Sequence, residues 1–268
     1  MSGTTIRLGK LFNAQSNRAF VVAFDHGQSL PIPPHLGNPV ALLERIVGGA
    51  PEGILVSAGM LAQAGRLFAR RGAPAVILRA DWTTLDPRMK SEFGERYRPL
   101  VDPADAVGLG ADALCTYLIG WPEDGAMFAN NVEQVAATIQ RAHRVGLPVI
   151  VEATLWGSRV SDQRDPEALR QMCRIAAELG ADAIKTEFVG EIDAQRDLIE
   201  EVGNIPVLTL GGAAAAPDVV AQAARDAISA GVRGLIFGRN VWQVADLGDT
   251  MRRLSAIVHG GEGSTPLA

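Results

Sequence analysis

The stretch GADAIKTEFVG, residues 180–190, reads as a glycine stop followed by a buried strand with a lysine at its far end. Gly180 closes the helical run Asp165–Leu179, and Ala181–Thr186 follows as a short apolar strand that carries Lys185. Glycine there accepts the left-handed conformation that ends a helix. The same phrase recurs as RRGAP (70–74), RVGLP (144–148), ELGAD (178–182) and SAGVRG (229–234). The chain is therefore a repetition of helix, glycine and strand.

Eight strand runs follow this rhythm: Phe20–Phe24, Gly53–Ser57, Ala75–Ala80, Ala113–Ile119, Pro148–Thr154, Ala181–Thr186, Pro206–Leu210 and Gly234–Phe237. Helical runs lie between them, at Pro39–Val47, Gly59–Arg71, Asp102–Gly108, Asn131–Val145, Asp165–Leu179, Ile192–Val202, Pro217–Ala230 and Asn240–Val258. The strands are apolar on both faces, as parallel strands covered by helices must be. Eight such units predict an α/β fold, a (β/α)8 TIM barrel, with residues 1–268 as a single domain. An open doubly wound sheet is the runner-up. It calls for a glycine-rich fingerprint after the first strand, and FDHGQSL (24–30) is not G-x-G-x-x-G.

Composition narrows the partners. Of 268 residues 47% are hydrophobic and 21% charged, too apolar a mixture for a disordered chain. A formal net charge of −5 argues against nucleic acid and anionic membranes, so any bound anion needs a local site. Cys115 and Cys173 give neither metal spacing nor a disulfide framework, which suits a reducing cytoplasm. No apolar run is long enough to span a bilayer, and no secretory leader pattern opens the chain.

In a barrel of this kind, reactive side chains project from the C-terminal strand ends and the loops after them. Those ends carry Asp25 and His26, Ser57, Asp81, Tyr117, Glu152 and Thr154, Lys185 and Glu187, Thr209 to Gly212, and Gly238 with Arg239. The opposite ends are mostly Gly, Ala, Pro and apolar. Two readings of Lys185 stand: an ion-pair partner of Glu187 or Glu152, or an amine nucleophile for a carbonyl substrate. VLTLGGAAAAPDV (207–219) and LIFGRNVW (235–242) read as an anion site, with Gly211, Gly212, Gly238 and Arg239 around a phosphate; two ordinary βα turns that need glycine for their geometry are the other reading. The loop DWTTLDPRMKSEFGERYRPL (81–100) is long enough to cover an active site or to pack a neighbouring subunit. Within it Asp81, Trp82 and Arg88 are candidates for a distal pocket. Tyr117 and both cysteines read as core. No His/Asp/Glu cluster has metal spacing, so no metal is expected.

FDHG (24–27), GADAIKTEF (180–188), LGG (210–212) and GRNVWQ (238–243) together resemble the class I aldolases of the archaeal fructose-bisphosphate aldolase type. That group also includes deoxyribose-phosphate aldolase, the aminodideoxyheptulosonate synthases and the autoinducer-2-phosphate thiolase. The resemblance runs from Leu8 to Val258. It implies a TIM barrel and Lys185 as a covalent Schiff-base lysine with no separate cofactor. It also implies Gly211, Gly212, Gly238 and Arg239 around a substrate phosphate, and Asp25 near the reacting carbons.

The sequence departs from that family at the fifth strand. Its members resemble SYPRG there, with a proton-transfer tyrosine, whereas this chain has VEATLWGSRV (151–160) and Thr154 at that position. A threonine hydroxyl has no pKa near neutrality. Glu152, two residues earlier on the same face, is either its replacement or the ion-pair partner of Lys185. His26 is either a proton shuttle or a brace for its loop. The stretch from Ser158 to Thr186 is similar to the thiolase branch.

The expected function is metal-independent cleavage or formation of a C–C bond in a small phosphorylated ketose, in carbohydrate catabolism, by a cytoplasmic homo-oligomer. Asp25 or Glu152 would move the protons. Thiolase-like acyl transfer from a phosphorylated diketone to coenzyme A is the alternative. A non-catalytic phospho-sugar binder is the third reading.

Overall fold

The structure, a computed structural model, describes residues 2–31, 33 and 36–260. Eight parallel strands close on themselves: β1 (Ala19–Ala23), β2 (Gly53–Val56), β3 (Ala75–Arg79), β6 (Ala113–Ile119), β7 (Val149–Thr154), β8 (Ala183–Thr186), β9 (Val207–Leu210) and β10 (Gly234–Phe237). They pair in chain order, and β10 closes the ring on β1 with Ala19 opposite Gly234. Each barrel strand lies within a residue or two of its expected run, and the TIM barrel is borne out.

Helices α2 (Pro39–Gly48), α3 (Ala58–Ala64), α5 (Pro103–Gly108), α6 (Gly125–Arg144), α7 (Pro166–Glu178), α8 (Ile192–Glu201), α9 (Pro217–Ala230) and α11 (Leu247–His259) follow the strands. Asn38, Ser57, Asp102, Asp124, Asp165 and Asp246 each accept backbone N–H groups at the start of a helix. Gly72, Gly146, Gly180 and Gly231, the stops in the repeated phrase, all have positive φ.

Several features differ from expectation, among them α3, which ends at Ala64 and not Arg71, and α6, which starts at Gly125 and not Asn131. Helix α1 (Ser2–Gly9) precedes the barrel, and Leu8, Leu11 and Phe12 at and after its end pack against the interior from below. The final helical run is broken: α10 (Arg239–Trp242) is a single turn, and α11 restarts after Asp246 caps it. The loop at 81–100 folds into a hairpin, β4 (Asp81–Thr83) and β5 (Tyr97–Pro99), around α4 (Pro87–Phe93).

Strand periodicity sorts the core into two layers. Val21, Leu55, Ile77, Cys115, Ile150, Ala183, Leu208 and Ile236 fill the barrel interior. Their neighbours Val22, Ile54, Leu78, Leu114, Val151, Ile184, Val207 and Leu235 pack outward under the helices. The N-terminal rim is pinned by a repeated device. Glu52, Asp112 and Asp182, just before β2, β6 and β8, accept the N–H of Phe20, Val76 and Val149 at 2.8, 3.1 and 2.8 Å. Each carboxylate thus ties one strand to its neighbour and fixes the register.

Candidate active site

Two residues beyond the interior layer, the inward positions turn polar. Ile77 is followed by Arg79, Cys115 by Tyr117, Ile150 by Glu152 and Ala183 by Lys185. These four form the floor of a cavity of about 490 Å³ at the C-terminal rim, with Asp25 from the end of β1 beside them. Lys185 and Glu152 are direct register partners on adjacent strands.

The floor is a network of buried charges. Lys185 Nζ lies 2.6 Å from Glu152 Oε1, and the other carboxylate oxygen of Glu152 meets Arg79 Nη2. Arg79 Nε donates to Asp25 Oδ2 at 2.7 Å, and Arg79 Nη1 stands 3.6 Å from Asp81 Oδ1. The Arg79 guanidinium also lies over the Tyr117 ring, 3.8 Å from its centre. Arg79 is 2% exposed, so this one cation serves three carboxylates without help from bulk water.

The surroundings set each carboxyl differently. Burial works to raise Asp25, but Arg79, His26 and Lys185 outweigh it and hold Asp25 at about 2. Burial also opposes charge on Glu152, and Lys185 with Arg79 again wins and keeps its pKa low. Asp81 ends the other way: burial pushes it up to about 6, despite Arg79 and the hydrogen bonds from Thr116 and the Tyr117 N–H. Glu187 is raised to about 7 by burial, against a single indole donor, Trp156 Nε1 at 3.4 Å. Burial drives the Cys115 thiol up to about 12 and the Tyr117 phenol well above its ordinary value.

His26 begins a 3-10 turn after β1 and is lowered by burial more than Asp25 raises it. Its ring stands edge-on to Trp242, 5.3 Å between centres, and the Trp242 indole donates to the Ala23 carbonyl at 2.9 Å. Gly238 leaves room for it. A Cβ at Gly238 would lie 2.3 Å from His26 Cε1 and 3.0 Å from the Ala23 oxygen. The glycine at the end of β10 thus makes room for the first loop.

Gly211, Gly212 and Ala213 line the cavity wall opposite the hairpin insertion. Asn240 is buried and braces the loop after β9, donating to the carbonyls of Gly211 and Ala213 and accepting from the Ala215 N–H. Arg239 Nη2 donates to the Gly212 carbonyl at 3.1 Å, while its buried Nε has no partner among the described residues. Helix α9 starts only at Pro217, so the loop itself, and not that helix end, borders the cavity.

The insertion forms the remaining wall through Thr84, Leu85, Pro87 and Lys90. It is fastened to its own barrel. Lys90 Nζ pairs with Glu95 at 2.8 Å and donates to the Trp156 carbonyl at 3.0 Å. Glu95 in turn accepts from the Ser158 N–H and hydroxyl at 2.7 and 2.9 Å.

The expected site residues Lys185, Asp25, Glu152, His26, Gly211, Gly212, Gly238 and Arg239 all border this one cavity. Three distal-pocket candidates do not: Asp81 turns to Arg79 and Thr116, Arg88 points outward, and Trp82 is off the wall. Thr154 is fully buried and also off the wall, so it does not stand in for the family's tyrosine. Tyr117, read as core, is on the wall. Sequence reading missed Arg79, and it offered Glu187 only as an ion-pair partner of Lys185, a place that Glu152 takes. An arginine at an inward position of AVILR (75–79), two residues after Ile77, is the signal for the first. Among the described residues no three His, Cys, Asp or Glu side chains converge as a metal site, and no helix is long and apolar enough to cross a membrane.

The chain is similar to known proteins in sequence and in fold. An uncharacterized aldolase of Saccharolobus solfataricus is 29% identical, over 97% of this chain and 95% of its own length. The 2-amino-3,7-dideoxy-D-threo-hept-6-ulosonate synthase of Halobacterium salinarum is also 29% identical, over 96% and 92%. An archaeal fructose-1,6-bisphosphate aldolase, solved with its catalytic lysine covalently bound to the carbinolamine intermediate, superposes with a TM-score of 0.80 at 25% identity. That match covers 96% of this chain and all of the other. Residues 19–244 match the family as a whole, and the chain belongs to the DeoC/LacD family of aldolases.

Proposed function

We propose that the protein is a class I aldolase in which Lys185 forms a Schiff base with a small phosphorylated ketose and a C–C bond is broken or made beside it. The observation that carries this reading is the pairing of a buried Lys185 with Glu152 at 2.6 Å, on the floor of a cavity whose wall is Gly211, Gly212 and Arg239.

The chemistry follows from the geometry. The substrate phosphate docks against the backbone N–H groups of Gly211 and Gly212 and the guanidinium of Arg239, beside Gly238. Binding energy from the phosphate, remote from the reacting bond, holds the carbonyl over Lys185. Glu152 takes a proton from the ammonium, and the free amine adds to the carbonyl carbon. The resulting carbinolamine hydroxyl leaves as water once protonated. The iminium then draws the electrons of the adjacent C–C bond and becomes an enamine. Asp25, held as a carboxylate by Arg79, faces the reacting carbons and stabilises the cation. His26, neutral at pH 7, braces the loop that carries Asp25 and lies within reach of the substrate.

The same proposal takes carbohydrate catabolism as the setting, a cytoplasmic homo-oligomer as the working form, and no cofactor beyond the lysine adduct. Its test is turnover of a panel of phosphorylated ketoses by the wild type and Lys185→Met, read as aldehyde released. The reading expects aldehyde from the wild type, none from the variant, and ligand binding by both. Binding without turnover by either protein would make the chain a phospho-sugar binder. Acetyl transfer to coenzyme A from a phosphorylated diketone would make it a thiolase.

A further inference from the structure

We infer that Glu187 is the proton-transfer residue of C–C cleavage, taking the hydroxyl proton as the bond breaks and returning it to the enamine carbon. This rests on the Schiff-base reading of Lys185 and assigns the role that Thr154 leaves vacant.

Three carboxylates line the cavity: Asp25, Glu152 and Glu187. Asp25 accepts from Arg79 at 2.7 Å, and Glu152 is held between Lys185 and Arg79. A carboxylate clamped by cations is a poor carrier through C–C cleavage, because taking up a proton costs it those contacts. Glu152 holds a proton only while it passes from the Lys185 ammonium, 2.6 Å away, to the departing carbinolamine hydroxyl. Glu187 makes no ion pair among the described residues. It is 6% exposed, and its one hydrogen bond is the long one from the Trp156 indole.

Its position suits the role. Glu187 follows Lys185 by two residues at the end of β8, and both border the cavity. A Cβ built on Gly212 would lie 3.9 Å from Glu187 Oε2 and 3.8 Å from Arg164 Nη2. The carboxyl therefore stands between the reacting lysine and the glycine loop. Groups on every side act on it: Lys185 on its own strand, Glu152 on β7, and Trp156 and Arg164 in the loop after β7. Arg239 holds the Gly212 carbonyl beyond. Burial outweighs these cations and leaves Glu187 near 7, where it exchanges a proton at little cost in either direction. Tyr117 cannot cycle in this way, because its phenol stays protonated under burial.

The step balances. Glu187 as carboxylate accepts the O–H proton, the C–C pair moves to the iminium and gives the enamine, and the aldehyde departs. Protonated Glu187 then delivers that proton to the enamine carbon, restoring an iminium that water hydrolyses.

Dihydroxyacetone phosphate in deuterated water is the probe. Exchange at its carbon beside the carbonyl, followed by NMR, reports the enamine proton transfer, while borohydride reduction after long incubation reports the Lys185 adduct. Wild type should show both, with exchange rising across a limb near pH 7. Glu187→Gln should keep the adduct and lose exchange by about 100-fold or more. Glu187→Asp should recover part of it. Trp156→Phe, which keeps the carboxyl and removes its donor, should move the limb to higher pH and serves if the glutamine variant does not fold. Exchange at the wild-type rate in Glu187→Gln, or an unmoved limb in Trp156→Phe, overturns the assignment to Glu187 alone. Absence of any adduct in the wild type overturns the Schiff-base reading, and this assignment falls with it.

Discussion

The ammonium of Lys185 meets the carboxylate of Glu152 at 2.6 Å, and both side chains are buried on facing positions of β8 and β7. The pair is not isolated. Its far oxygen touches Arg79, and Arg79 carries Asp25 and Tyr117 with it, so the floor of the cavity is one electrostatic unit. Removing a charged member takes a partner from the opposite charges that stay buried.

Arg79 is the member on which most depends. Arg79→Met strands Asp25 and Glu152 with one cation, Lys185, between them. The expected loss is about 3–5 kcal/mol in stability by denaturant unfolding. Arg79→Lys should recover only part, since an ammonium cannot reach three carboxylates and stack on Tyr117 at once.

Opposite shifts give the stability curve two sides. Asp25 and Glu152 are lowered, so the stability they contribute is present above the unfolded carboxyl range and is lost as pH falls through their folded values, about 2 for Asp25. Asp81 and Glu187 are raised to about 6 and 7, so their contribution is full below the unfolded range of about 4 and is lost as pH rises through 6–7. The denaturation midpoint should be higher at pH 5 than at pH 8, and should collapse below about pH 3. Asp81→Asn, which keeps acceptors for Thr116 and the Tyr117 N–H, should flatten the alkaline side.

Two glycines of β10 and its end separate folding from activity. A Cβ at Gly234, where φ is +152°, would lie 2.0 Å from the Ala19 carbonyl oxygen at the seam that closes the barrel. Gly234→Ala should cost more than about 2 kcal/mol of stability. Gly238→Ala displaces His26 at the catalytic rim instead, and should lower kcat/KM on the order of 100-fold with a smaller shift in Tm. Paired measurements of Tm and kcat/KM on the two variants check this division.

The hairpin insertion should act on binding more than on chemistry. Glu95→Ala cuts the ties to Ser158 and Lys90 and frees the wall formed by Thr84, Leu85 and Pro87. The expected result is a higher KM, little change in kcat, and a loss of stability under about 1 kcal/mol.

Much of this was legible in order along the chain. Glycine stops and two-faced apolar strands specify the barrel, because both are local requirements of the backbone. Lys185 and Glu152 were legible for the same reason: strand parity carries Ile150 to Glu152 and Ala183 to Lys185. That parity also carries Ile77 to Arg79. Attention to residues after the strand picked out Asp81, which turns inward to Thr116, and passed over the arginine within the strand. The contact of His26 with Gly238 joins the first and last strands, and no local pattern records it. Glu187 differs from Glu152 only in what stands around it. Its lack of an ion pair among the described residues is a property of the assembled cavity.

The most direct measurement is borohydride reduction of the wild-type protein with phosphorylated ketoses, followed by peptide mass mapping. A secondary amine on Lys185, absent without ketose and absent in Lys185→Met, is the predicted result. An adduct on another lysine, such as Lys90 on the cavity wall, or no adduct with any phospho-ketose tested, would contradict the account.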